Sequence, residues 1–242
     1  MLEPLRHPIR TLARVRTALH HSENGYSLNQ DLQRVLQDRA ISTVVDIGAH
    51  HGLFGQHLRA SGYTGKILSI EPTSAAFEVL QGKLDADWSA ERLAVSTEEG
   101  TVELKIFDGD GQLNSLLPAS ELGSGTWEMH QVGKEEVRAL TLQGLVQQRG
   151  LDPERTLVKI DAQGLDFAIL QASASTVDAI AALLIEVPMF GLYEGAAAPG
   201  VMIDWLRARG LNAVGFYPVH DHPRPLIPVE FDGLFARSED LG

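Results

Sequence analysis

Short aliphatic runs closed by an acid or a glycine recur along this chain and alternate with stretches whose apolar positions return at helical spacing. After a helical stretch at "SLNQDLQRVLQDRA", "STVVDIG" predicts a strand and "GLFGQHLRASG" its helix. "GKILSIEP" then predicts a second strand, "SAAFEVLQGKLDA" a second helix and "ERLAVS" a third strand. "GTVELKIF" reads as an extra strand, and the glycine, serine and acid content of "DGDGQLNSLLPASELGSG" predicts a loop able to cover a site. "TLVKIDAQGLDFAILQ" resumes the strand-then-helix order, followed by the strand "AALLIEVP", the helix "VMIDWLRARG" and the runs "LNAVGFYP" and "VEFDGLFARS", which predict a hairpin with a long connection. This alternation predicts an α/β fold, a doubly wound and mostly parallel sheet with helices on both faces.

Composition narrows the function classes. Hydrophobic residues make up 44% and charged residues 21% of the 242, which is a globular and not a disordered balance. The formal net charge of -12 repels a polyphosphate backbone, so nucleic acid is not the expected substrate. Zero cysteines exclude disulfides, thiolate catalysis and Cys-ligated zinc, and fit a cytoplasmic location. No apolar run is long enough to span a bilayer. The one basic region is the opening, where Arg6, Arg10, Arg14 and Arg16 interleave with Leu5, Ile9, Leu12, Val15 and Leu19 as in an amphipathic helix; it lacks a signal-peptide hydrophobic block.

In an open sheet of this kind ligands sit beyond the carboxyl ends of the strands, and four such ends carry acids: Asp46, Glu71, Asp161 and Glu186. One acid alone is as readily a helix cap or an ion-pair partner, but four along one sheet edge point to a site. Gly48 and Gly52 permit close backbone approach in the turn after Asp46, and Glu71 stands where a carboxylate grips ribose hydroxyls. A nicotinamide cofactor is disfavoured: aligned on Gly48, its Gly-x-Gly-x-x-Gly fingerprint meets His50 and Leu53. A cofactor with an adenosine and a cationic centre but no phosphate, such as S-adenosylmethionine, fits the acids and histidines better.

These residues carry a resemblance to the FkbM-type family of S-adenosylmethionine-dependent methyltransferases, over about residues 40 to 236. "DIGAHHG" is similar to the family's first motif, Asp-x-Gly-Ala-Asn-x-Gly, at Asp46, Gly48, Ala49 and Gly52, with His50 in place of Asn. "SIEP" resembles its second-strand ending, which implies ribose binding by Glu71 beside Pro72; "DADWSAERLAVS" resembles the next block, which implies packing by Trp88 and places Ala94 and Val95 near adenine. "LVKIDAQGLDFAIL" is similar to the Asp-x-Glu/Gln-Gly-x-Glu/Asp signature at Asp161, Gln163, Gly164 and Asp166. The resemblance implies a Rossmann-like class I methyltransferase domain with a seven-stranded sheet at 40–242, preceded by a helical extension at 1–39.

Methyl transfer from a sulfonium needs an aligned acceptor and a group to receive its proton. The candidates are Asp161 with Gln163 and Asp166, and His220 in "YPVHDHPRPLIP". Asp161 with Asp166 or Glu186 offers oxygen ligands for Mg2+, although Asp166 is equally placed to cap a helix; His51 and His57 lie one or two turns into the first helix. "NSLLP" with Ser115, and "VPMFGLYEG" with Glu186 before it and Met189, Phe190 and Tyr193 within it, are the expected acceptor-binding segments. The expected reaction is O-methylation of a sugar, glycan or secondary metabolite; the alternatives are a cofactor-binding module of the same fold without turnover and, less favoured, an NAD-dependent oxidoreductase.

Overall fold

Every residue of the first strand, β1 (Thr43–Ile47), is buried, because both faces of the sheet around it are covered. The computed structural model describes residues 27–108, 111, 113–126, 129–219 and 230–237. The basic opening segment, with its four arginines, and His220 lie outside the described residues.

The main sheet contains, beside β1, the strands β2 (Lys66–Ile70), β3 (Trp88–Glu91), β7 (Thr156–Ile160), β8 (Ala182–Pro188), β9 (Leu211–Pro218) and β10 (Glu230–Arg237). Its seven strands run in the order β3-β2-β1-β7-β8-β10-β9. The pairs from β3 to β8 are parallel, and β10 runs antiparallel to both β8 and β9, the expected terminal hairpin. The order reverses between β1 and β7, where a crevice opens at the strands' carboxyl ends. Among the described residues no helix is long and apolar enough to cross a membrane.

Alternate strand residues feed two cores. Val45 and Ile47 face one of them, with α5 (Leu142–Gln148), α6 (Asp166–Ala172) and α8 (Pro199–Arg207); α7 (Ala174–Val177) adds Val177. Val44 faces the other, with α1 (Leu28–Asp38), α2 (Leu53–Ala60) and α3 (Ser74–Gln81). Ser27 caps α1 by accepting the Gln30 N–H, and Leu28, Leu32, Val35 and Leu36 form its buried stripe. The Tyr217 hydroxyl of β9 donates to Asp31 at 2.6 Å, fixing α1 to the far end of the sheet.

Two differences from the sequence expectation shape the site. The apolar run "ERLAVS" is not one strand: β3 ends at Glu91, and only Ala94–Val95, here β4, continues, pairing with β6 (Gln131–Leu140) in a separate three-stranded sheet completed by β5 (Gly100–Phe107). Trp88 anchors β3, its indole N–H donating to buried Ser69 at 3.0 Å. The second difference is β6 itself, followed by α5, in a stretch whose charged "GKEEVR" core predicts nothing by apolar period. β6 is held by backbone pairing with β5, which hydropathy does not register. The expected loop contains one helical turn, α4 (Glu121–Thr126).

Candidate functional site

The turn after β1 is built by hydrogen bonds to the end of β2. The Gly48 and Ala49 N–H groups both donate to the Ile70 carbonyl, and the His50 N–H donates to Glu71 Oε2 at 2.7 Å. Glu71 Oε1 accepts the Thr73 N–H at 2.8 Å, so one buried carboxylate braces two strand ends. Burial raises the Glu71 pKa, against the opposing effect of the N–H donors at Thr73 and His50. His50 sits at φ 48, in the left-handed region that both asparagine and histidine adopt more readily than most residues.

Gly48 has φ +75, and a Cβ there would lie 2.0 Å from the Asp161 carbonyl oxygen, so the ends of β1 and β7 meet with no room for a side chain. Gly52, at φ +75 where α2 begins, faces away from the crevice: its Cβ would meet Leu80 and Trp88. It serves packing and turn geometry and is not on the crevice wall, unlike Gly48.

One crevice gathers most of the expected cofactor residues. It is lined by Gly48, Ala49, His50, Glu71, Pro72, Ala94 and Val95, and by Lys159, Asp161, Gln163, Ser115 and Asn114 on the opposite side. Leu93, just before β4, with Leu104 of β5 and Leu116, adds an apolar wall that sequence reasoning missed, because Leu104 reaches the crevice from the small second sheet. Asp46 lies beneath this floor, fully buried.

Lys159 is the largest omission from the sequence reading. It stands beside Asp46 in the β1–β7 register, and its Nζ is 3.2 Å from Asp46 Oδ1 and 3.6 Å from Asp161 Oδ2. Burial opposes its charge, but Asp46, Asp161 and Glu186 outweigh burial and hold its pKa above the ordinary lysine value. Burial also pushes the Asp46 carboxyl upward, with Lys159 pulling the other way. The signal was present: Lys159 is the single charge in the strand TLVKI, and a period of two puts it on the face of Asp161.

Gln163 is buried at φ 50 and is engaged from three directions. Its Nε2 donates to Asp161 Oδ1 at 2.6 Å, and its carbonyl accepts from Ser115 Oγ at 2.8 Å. The Tyr193 hydroxyl lies 2.8 Å from Gln163 Oε1 and 2.9 Å from the Leu113 carbonyl, and its one proton serves one of these acceptors at a time. Tyr193 therefore acts through Gln163, from outside the crevice wall.

Asp166 departs from its expected role. Its two oxygens accept the Ala162 and Gly164 N–H groups at 2.9 and 3.0 Å, so it clasps its own turn and is not on the crevice wall. Glu186 is not on the crevice wall but raises the Lys159 pKa through its field, and Met189 and Phe190 are 44% and 42% exposed, off the wall. Among the described residues no group of three His, Cys, Asp or Glu side chains is arranged to hold a metal ion, so the expected Asp161, Asp166 and Glu186 set is not assembled. The physical reason is that Asp166 is committed to backbone donors and an ammonium stands against Asp161.

Burial pushes the Asp166 pKa up to about 6 from 3.8. The folded state then holds a proton that the unfolded state releases, so stability present below about pH 4 is lost as pH rises through about 6. The loss is on the order of 3 kcal/mol at most. Urea denaturation from pH 4 to 7 is expected to show this fall, and Asp166→Asn to flatten it; an unchanged slope would contradict the assignment.

Among solved structures, the protein is similar to fibrillarin from Aeropyrum pernix with natively bound S-adenosyl-L-methionine, at 10% identity and a TM-score of 0.47, covering 87% of this chain and 77% of that one. A putative S-adenosylmethionine-dependent methyltransferase from Listeria monocytogenes gives 10% identity and a TM-score of 0.46, covering 87% and 97%. TehB from Haemophilus influenzae gives 10% and 0.45, covering 89% and 64%. No curated protein matches the sequence. The model of the methyltransferase FkbM domain matches residues 46–212, from the buried acid of β1 to the start of β9. With that match running through the crevice turn, Glu71 and the Asp161–Asp166 turn, the chain belongs to the FkbM methyltransferase family.

Proposed function

We propose that the protein is an S-adenosylmethionine-dependent O-methyltransferase acting on a hydroxyl of a sugar, glycan or secondary metabolite. The observation that carries this reading is Glu71, a buried carboxylate at the end of β2 that shares one crevice with the β1 turn and the apolar segment Leu93 to Val95. Both Glu71 oxygens accept one backbone N–H and keep lone pairs for the two hydroxyls of a ribose. Leu93, Ala94 and Val95 offer the apolar side an adenine needs, and the turn from Gly48 to His50 takes the amino-acid end. The donor set fits: Asp46, Asp161 and Glu186 outnumber Lys159, a balance that favours a cationic ligand and disfavours a pyrophosphate.

When bound, S-adenosylmethionine supplies the electrophilic methyl group. Asp161, on the crevice wall, is the group we assign to the acceptor hydroxyl's proton, with Lys159 and Gln163 holding its two oxygens. The apolar wall of Leu93, Leu104 and Leu116 excludes water from the cofactor side.

Calorimetry is expected to show binding of S-adenosylmethionine and S-adenosylhomocysteine by the wild-type protein. Loss of hydrogen bonds to a charged acceptor in Glu71→Ala should weaken that binding by about 1.5–3 kcal/mol, roughly 10- to 150-fold. Circular dichroism of the variant separates this from unfolding, since Glu71 also braces the turn. Absence of wild-type binding would overturn the proposal. A screen of polyol and phenol acceptors with methyl-labelled cofactor, with and without magnesium, then distinguishes turnover from a binding module that has lost it.

A further inference from the structure

We propose that Lys159 is the positioning residue of the crevice: a built-in cation that holds the Asp161 carboxylate toward the acceptor, as a divalent ion does in sites made of carboxylates alone. The inference rests on the methyltransferase reading above and names how its proton acceptor is held. Asp161 directly follows β7, two residues after Lys159, and its N–H donates to the Ile47 carbonyl of β1, so the two side chains are held close together at the strand end. The ammonium sits between Asp46 Oδ1 at 3.2 Å and Asp161 Oδ2 at 3.6 Å, with Gln163 Nε2 fixing the other Asp161 oxygen at 2.6 Å. The Lys159 side chain is 17% exposed and lines the crevice, whereas Asp46 is wholly covered. The Phe54 ring of α2 lies 5.7 Å from Nζ, closing one side with a π-face that favours a cation.

The surrounding titratable groups belong to separate elements: Asp46 on β1, Glu71 at the end of β2, Glu186 on β8, Asp166 at the start of α6 and His50 on the β1 turn. Of these, Asp46 and Glu186, with Asp161, act on the ammonium, giving three carboxylates around one fixed positive charge. A second cation of double charge placed beside Asp161 would have to displace that ammonium or sit against it, at a Coulomb cost that falls on both.

The chain has five lysines, which makes the test direct. In full-length protein labelled with ¹⁵N-lysine, side-chain ¹H–¹⁵N correlation spectra at neutral pH are expected to show one ammonium signal protected from exchange, absent from Lys159→Arg. Asp161→Asn should move that signal, saturating S-adenosylhomocysteine should move it, and magnesium chloride should leave it in place. Lys159→Arg is expected to keep S-adenosylhomocysteine affinity and Lys159→Met to lose it, because methionine preserves the stem and not the charge; a merely space-filling role predicts the reverse order. If Lys159→Met does not fold, the wild-type and Asp161→Asn spectra decide. A signal indifferent to Asp161→Asn, or one shifted by magnesium, overturns the inference. Failure of the wild-type protein to bind S-adenosylhomocysteine overturns the methyltransferase reading instead, while the ligand-free Asp161→Asn spectrum still judges the role of Lys159.

Discussion

Gly48→Ala is expected to destabilise the fold by several kcal/mol and to abolish cofactor binding. Two costs add. At φ +75 an alanine sits in the left-handed region, at about 1–2 kcal/mol. Its Cβ would also stand 2.0 Å from the Asp161 carbonyl oxygen, and that backbone is tied down because the Asp161 N–H donates to Ile47. Relief requires β1 and β7 to separate at their carboxyl ends, which is where the crevice is formed. Gly62→Ala supplies the control, with φ +91 but nothing within 4 Å of its Cβ, so it carries the conformational cost alone. Chemical denaturation of both variants, with calorimetry of S-adenosylmethionine, measures the difference. A Gly48→Ala protein no less stable than Gly62→Ala would show that the strand ends have freedom the structure does not indicate.

The second large effect concerns the ion pair under the floor. Lys159→Met is expected to cost on the order of 3–5 kcal/mol, because it leaves the Asp46 carboxylate buried without its counter-charge. Asp46→Asn in the same chain should recover part of that loss, since a neutral amide has no charge to strand. The double-mutant cycle measures the coupling directly by urea denaturation. Additive losses would mean that the pair is solvated well enough to matter little, as exposed pairs are. The contrast is available within the protein: Lys134 and Glu103 pair at 2.7 Å between β5 and β6, but at 66% and 49% side-chain exposure solvent screens them, and their separation should have no comparable effect on stability.

Several parts of the site were legible from residue order. "DIGAHHG" placed a turn at a strand end, and the structure adds why each position is as it is: Gly48 clears the Asp161 carbonyl, and His50 keeps a left-handed backbone. Glu71 was found because it closes an apolar strand. Its role as a brace for the His50 and Thr73 N–H groups was not, since that needs β2 to lie beside β1. Asp166 was left between two roles, a shared ligand and a helix cap. An acid spaced near Asp161 suggests a shared ligand, and only the fold shows it turned inward onto two backbone donors.

The sequence by itself determined the succession of strands and helices along most of the chain, the acids that follow β2 and β7, the terminal hairpin and the family, because each rests on local periodicity or on contiguous motif residues, whereas the structure places Asp46 and Glu186, expected at strand ends, inside β1 and β8. The tertiary structure alone decided which of those acids meet. Asp46 and Lys159 lie 113 positions apart, and their pairing depends on β7 docking beside β1 in register. The same holds for the wall from the second sheet and for Tyr193 reaching Gln163, contacts set by strand order and by turns that carry no hydropathy signal.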